Sequence, residues 1–159
     1  MPRTGRGMTP IALRPATPGD SEFCYQLHKA AMGGYIAAIW GWDEQEQRAF
    51  HDRAFNPGCW QIITACQADI GMLDVEYRPG EICIGRIEIH PDYQGQGIGT
   101  RLIRALADEA RRKGQDLVLE VLTVNHRAQA LYQRLGMKEA AGHGDKNIKI
   151  TMRLTHSPA

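Results

Sequence analysis

Six residues, Gln94-Gly95-Gln96-Gly97-Ile98-Gly99, lie between two segments of opposite periodicity. Before them, residues 81–89 form a short apolar run of strand character, set off by His90, Pro91, Asp92 and Tyr93. After them, Leu102, Ile103, Leu106 and Ala110 fall at helical spacing within 100–113. Strand, glycine-rich turn and helix in that order leave unpaired backbone N–H groups at a helix start, where an anion is favoured. Gly97 and Gly99 give a pyrophosphate room to approach the backbone, and the Gln94 side chain can add a hydrogen bond. The glycines by themselves are also compatible with a turn that binds nothing.

Spacing excludes two phosphate motifs. No glycine is followed by the Lys-Ser or Lys-Thr pair of a P-loop, and Leu102 stands where a dinucleotide fingerprint needs its third glycine. What remains is Gln/Arg-x-x-Gly-x-Gly/Ala, met by Gln94, Gly97 and Gly99. A second block begins with a buried-strand run at 117–122 and continues through Thr123, Val124 and Asn125 into a helical segment. Asn125 is a good N-cap, and Ala128, Leu131, Tyr132 and Leu135 share one helix face. Together the two blocks resemble the GCN5-related N-acetyltransferases, the GNAT family. The first resembles that family's acetyl-CoA pyrophosphate loop, and the second its Asn, Ala and Leu-Tyr pattern. The family's Gly-Phe ending is here Gly136-Met137. The resemblance covers about residues 11 to 154 and is strongest from Ile84 to Met137.

The resemblance implies an α/β GNAT fold: a mixed, mostly antiparallel sheet with flanking helices, whose central parallel strands, 81–89 and 117–122, splay apart. It implies acetyl-CoA as cofactor, held by Gln94, Gly95, Gln96, Gly97, Ile98, Gly99 and Thr100 at the loop and by Asn125, Ala128 and Tyr132 from the second block. The pantetheine arm would pair with strand backbone near Ile87 and Ile89.

Acetyl transfer from a thioester to an amine needs a neutral amine, although a free alkyl ammonium has a pKa near ~10.4. It also needs a donor to the oxyanion, for which the Ile89 N–H is the candidate. The departing thiolate benefits from a proton donor, and Tyr132 matches the family tyrosine in that role. Among carboxylates able to act as base, Glu88 leads by position, with Glu76 and Glu120 on neighbouring strands as alternatives. The acceptor site is expected chiefly from the N-terminal half, where Tyr35, Trp40 and Trp42 lie beside Asp43, Glu44 and Glu46, and Glu76 of the hairpin strand is expected in it too. Core packing of the aromatics and solvation of the acids explain the same residues without a site. The last strand carries Ile148, Ile150 and Thr151 where many relatives have aromatics, and His143 and Asp145 occupy the turn before it. No cysteine is placed as an acyl carrier, so direct attack in a ternary complex is expected rather than a ping-pong route.

Along the chain, a strand at 11–14 precedes a helix from Asp20 or Ser21 to about Met32. Gly33-Gly34 and then Gly41-Trp42-Asp43 are expected to interrupt it, before a further helix at 44–55. Antiparallel strands at 60–65 and 70–77, joined near residues 67–69, lead through Arg78-Pro79-Gly80 into the 81–89 strand. Strands at 137–141 and 147–154 close the sheet.

At 159 residues the chain suits one domain, expected over 9–154, with loose tails at 1–8 and 155–159 and Met8 as an alternative start. No window approaches a membrane span, no signal peptide is evident, and a net charge of +1 gives no strong grip on nucleic acid or lipid. That balance also disfavours a toxin acting on aminoacyl-tRNA. Cys24, Cys59, Cys66 and Cys83 include no metal-binding pattern, so no metal is expected and the thiols read as free and buried in a cytoplasmic protein. The partner is then a small-molecule or peptide amine. Homodimers are common in the fold, but no segment here specifies an interface. A silent acyl-CoA-binding sensor is the competing reading.

Overall fold

The computed structural model describes residues 10–140 and 148–156. Seven strands form one sheet, in the order β1 (Ile11–Pro15), β2 (Trp60–Ala65), β3 (Ala68–Arg78), β4 (Glu81–Ile89), β5 (Asp116–Leu122), β7 (Lys149–Leu154) and β6 (Lys138–Glu139). Among the described residues only β4 and β5 pair in parallel. The helices are α1 (Ser21–Trp40), α2 (Glu44–Ala54), α3 (Ile98–Arg112) and α4 (His126–Arg134).

Strand alternation divides the core between the two faces of the sheet. Trp60, Ile62 and Met72 pack with Cys24 and Leu27 of α1, whereas Ile63 and Leu73 join Ile103, Leu106 and Ala110 of α3 and Tyr132 of α4. The short apolar runs at 82–84 of β4 and 117–119 of β5 lie where the two strands pair and are covered on both faces.

The expected break at Gly33-Gly34 does not occur, because α1 runs unbroken to Gly41, where φ reaches +79°. Two interior glycines cost about 1 kcal/mol each. Continuing the helix buries Ile36 beyond them, and a buried side chain of that size returns about 1.5–3 kcal/mol. The turn between β2 and β3 is Cys66-Gln67, with φ values of 51° and 70°. Two successive positive φ values are the signature of a primed hairpin turn. Neither residue is glycine or asparagine, so composition points to the wrong position. Thr155 and His156 are not loose, since the His156 N–H donates to Asp116 Oδ1 at 2.9 Å. The tail at 1–8 and the turn carrying His143 and Asp145 lie outside the described residues.

The parallel pairing runs only from Glu81–Asp116 to Ile84–Leu119. Beyond it β4 continues to Ile89 alongside β3, while β5 continues to Leu122 alongside β7. The β3–β4 register shifts at Asp74/Val75, opposite Gly85, where the two parallel strands begin to part. A bulge adds local twist. The sheet is thereby split at its centre.

Candidate active site

The split exposes a particular set of backbone groups. The His90 N–H donates to the Ile70 carbonyl at 2.8 Å, just outside the Gly71–Ile89 pair. Antiparallel alternation then turns the polar groups of Ile89, and of Ile87 two residues earlier, away from β3 and toward the gap. The Ile89 carbonyl accepts from Gln94 Nε2 at 2.8 Å, leaving its N–H to the gap. A Cβ at Gly71 would stand 2.5 Å from the Glu88 carbonyl oxygen, so β3 can press this closely on β4 only with glycine there.

A cavity of about 410 Å³ lies over the start of α3, and a second of about 770 Å³ opens on the α1–α2 side. Met32, Ile87, Glu88, Asn125 and Tyr132 line both, so the cavities adjoin at the split.

In the smaller cavity, Gly97 precedes α3 with φ at +81°, and no side chain caps the helix. Its first turn contains no acid. The N–H groups there are the ones a helix leaves without internal partners, at its positive end. Gly95, Gly97, Gly99 and Thr100 line this cavity, as does Ala128, and Arg127 and Arg134 add positive charge. Ile98 is buried in the core, so only its backbone can serve a ligand. Gln96 does not line the cavity, and its amide reaches Asp92 O at 3.4 Å.

Gln94 differs from expectation. Besides holding the Ile89 carbonyl, its amide oxygen accepts from Arg127 Nη1 at 3.2 Å. Both ends of the side chain therefore tie the loop to β4 and α4, and the charge facing the cavity is that of Arg127. Asn125 is also partly committed, since its Oδ1 caps α4 through the Ala128 N–H at 3.1 Å. Uncapped helix start, two arginines and a free strand edge fit a pyrophosphate-bearing cofactor with an extended arm.

Glu88 is 6% exposed, and its Oε2 lies 2.7 Å from His28 Nδ1 of α1. Arg86 Nε stands 3.9 Å from the same oxygen, while Glu88 Oε1 is buried with no donor among the described residues. Tyr132 faces the junction from α4, and burial pushes its phenol up to about 12. It stays protonated, and able to donate, throughout the neutral range.

The larger cavity carries an apolar wall of Met32, Ile36, Trp40 and Phe50, and charges at Glu46, Arg53, Glu120 and Lys149. Trp40 and Phe50 are 56% and 48% exposed, and both lie on the wall of this one cavity. Of the residues expected to hold an acceptor, Trp40 lines this cavity, whereas Tyr35 lines the smaller one. Trp42 lines neither and packs instead by Gly33, with Lys29 Nζ 5.8 Å from its ring centroid. Asp43 caps α2 through the Glu46 N–H at 2.9 Å, and Glu44 bonds Lys29 and Tyr25. Glu76 is also outside the site: the register sets it opposite Cys83, and it is exposed and paired with Arg78. Of the four free thiols only Cys24 is buried; Cys59 and Cys66 are exposed, Cys83 is partly covered, and none lines either of these two cavities.

A sequence model of the acetyltransferase (GNAT) family matches residues 22–137. The chain belongs to that family. GNAT relatives include the [ribosomal protein bS18]-alanine N-acetyltransferase of Escherichia coli K12, 44% identical over 61 residues, 38% of this chain and 41% of that enzyme. The N-alpha-acetyltransferase RimI of Mycobacterium tuberculosis is 47% identical over 60 residues, 38% of this chain and 37% of RimI. The chain thus matches less than half the length of these relatives. The GNAT fold is shared with the PaiA N-acetyltransferase of Thermoplasma acidophilum, whose structure contains coenzyme A. The TM-score is 0.72 at 16% identity, covering 92% of this chain and 99% of that one. The structure of the Escherichia coli enzyme gives a TM-score of 0.65 at 24% identity, covering 94% and 96%.

His28 and Arg127 were missed from the sequence. His28 sits on a helix 60 positions before its carboxylate partner, so no local signal marks it. Arg127 does have one: a cation two residues past an N-cap that faces a glycine-rich loop.

Proposed function

We propose that this protein is an acetyl-CoA-dependent N-acetyltransferase that acts on a primary amine by direct attack within a ternary complex. The observation carrying this reading is the junction of two cavities at Ile87, Glu88, Asn125 and Tyr132, one suited to a pyrophosphate and the other to an acceptor. Bound acetyl-CoA supplies a thioester carbonyl open to attack by a neutral amine. The start of α3, Arg127 and Arg134 hold the phosphates, and the Ile87 and Ile89 backbone aligns the arm. The Ile89 N–H points into the gap where it can donate to a developing oxyanion.

Tyr132 serves the leaving sulfur. Complete transfer from a phenol at about 12 to a thiolate whose acid is near ~8.5 would be uphill by roughly 5 kcal/mol. Tyr132 therefore stabilises the departing thiolate by donating a hydrogen bond, and does not surrender its proton first. The amine's proton leaves on the opposite side, where Glu88 supplies negative charge. No cysteine lines either cavity, which supports direct transfer.

The acceptor is an amine on a peptide or small molecule, with an apolar group beside it to meet Trp40 and Phe50. The names of the Escherichia coli and Mycobacterium relatives favour a peptide α-amine. The test is calorimetric binding of acetyl-CoA together with thiol release over a panel of amines that includes peptide N-termini. Binding with amine-dependent release supports the proposal. Binding without release on any amine favours a sensor, and absence of binding overturns both.

A further inference from the structure

The geometry points to His28 as the general base of this site, with Glu88 as the carboxylate that orients it. This rests on the acetyltransferase reading above. His28 Nδ1 lies 2.7 Å from Glu88 Oε2. A carboxylate only accepts, so the ring proton sits on Nδ1 and the lone pair on Nε2. His28 lines the larger cavity, and Nε2 has no hydrogen-bond partner among the described residues and is not sealed in. Glu88, by contrast, is buried, and one of its oxygens is committed to the imidazole. An imidazole held by a buried carboxylate, with its far nitrogen turned to substrate, is the arrangement in which the carboxylate fixes the tautomer and stabilises the imidazolium.

The step balances. The acceptor ammonium gives one proton to His28 Nε2, its nitrogen lone pair becomes free to attack, and the ring becomes imidazolium facing Glu88. That proton later leaves Nε2 for solvent through the larger cavity, and the second N–H proton, shed as the C–S bond breaks, neutralises the departing thiolate. The charged groups that line the cavity with His28 are Glu88 and Arg86 on β4, Glu46 and Arg53 on α2, Glu120 on β5 and Lys149 on β7. Tyr132 faces it from α4, and His51 of α2 is near enough to feel the charge of His28.

The experiment compares wild type, His28→Gln and His28→Ala in kcat/KM against pH, with acetyl-CoA binding followed in each. Gln can still hydrogen-bond Glu88, so a purely structural His28 would be rescued by it. The expected result is a loss of roughly a hundred-fold or more in His28→Gln. Its acid limb should also move to the ionisation of the amine itself, which must then lose its proton unaided, and added imidazole should restore part of the His28→Ala rate. A His28→Gln enzyme near the wild-type rate with its acid limb intact overturns the proposal. Ring nitrogen-15 shifts of wild-type His28 give a reading that needs neither turnover nor a folded variant. An Nδ1-protonated ring supports the proposal, and an Nε2-protonated ring overturns it. Wild type that binds no acetyl-CoA sinks the acetyltransferase reading instead.

Discussion

Glu88 of β4 and Tyr132 of α4 line both cavities, so a carboxylate and a phenol face the same split from separate elements. The split exists because pairing between β4 and β5 ends at Ile84 and Leu119 while both strands continue. A strand edge left open inside a sheet is costly unless something uses it.

Tyr132→Phe removes only the hydroxyl. The expected outcome is a fall in kcat of about ten- to a hundred-fold, with acetyl-CoA affinity within about twofold of wild type. Steady-state kinetics beside calorimetry check this, and an unchanged kcat would remove the hydroxyl from the reaction.

Gly97→Val adds a branched side chain at φ +81°, where the space around the new Cβ is open. The left-handed conformation costs a non-glycine residue about 1–2 kcal/mol, small beside the stability of a domain of this size. The variant should fold, as seen by circular dichroism, and lose acetyl-CoA affinity by more than about tenfold. Wild-type affinity would place the phosphates elsewhere.

Arg127→Ala removes the cation nearest the loop and frees Gln94 Oε1. Binding should weaken by about ten- to a hundred-fold, a charge-assisted hydrogen bond being worth about 1.5–3 kcal/mol, and should depend less on salt. Calorimetry at two ionic strengths tests both effects.

His51 of α2 is buried between Tyr25, Phe55 and Trp60, and desolvation lowers its pKa below the usual histidine value. The unfolded chain therefore binds its proton more readily than the folded one. Its contribution to stability is fully present above the unfolded pKa of about 6.5. That contribution falls as pH drops from there toward the lowered folded value. Tm should decline over that acid window, and His51→Gln should flatten the decline. A slope unchanged by the substitution would assign it to other groups.

Burial pushes the Cys24 thiol up to about 12, while Cys59 and Cys66 are exposed. A thiol reagent should modify Cys59 and Cys66 in the native protein and reach Cys24 only on unfolding. Mass mapping of the labelled sites decides it.

Elements set by local pattern were readable from the sequence: β2 and β4 match the expected runs residue for residue, and Asn125 caps α4 as its side chain suggests. Gly33 and Gly34 misled, because tertiary burial outweighs a local helix penalty. Trp42 and Glu76 misled for a different reason. An aromatic near a site and an acid on a neighbouring strand are placed by helix phase and strand register, which spacing alone does not fix. The Gln94 amide holds the protein's own strand and arginine, a pairing between residues 33 positions apart that no motif encodes.

The most direct test of the split as the cofactor site is amide chemical-shift mapping of the nitrogen-15-labelled protein as acetyl-CoA is added. The largest shifts are expected at Ile87 and Ile89 on β4 and at Gly95, Gly97, Ile98, Gly99 and Thr100 at the start of α3. Saturable binding that leaves the Ile87 and Ile89 amides in place would contradict a cofactor site at the split.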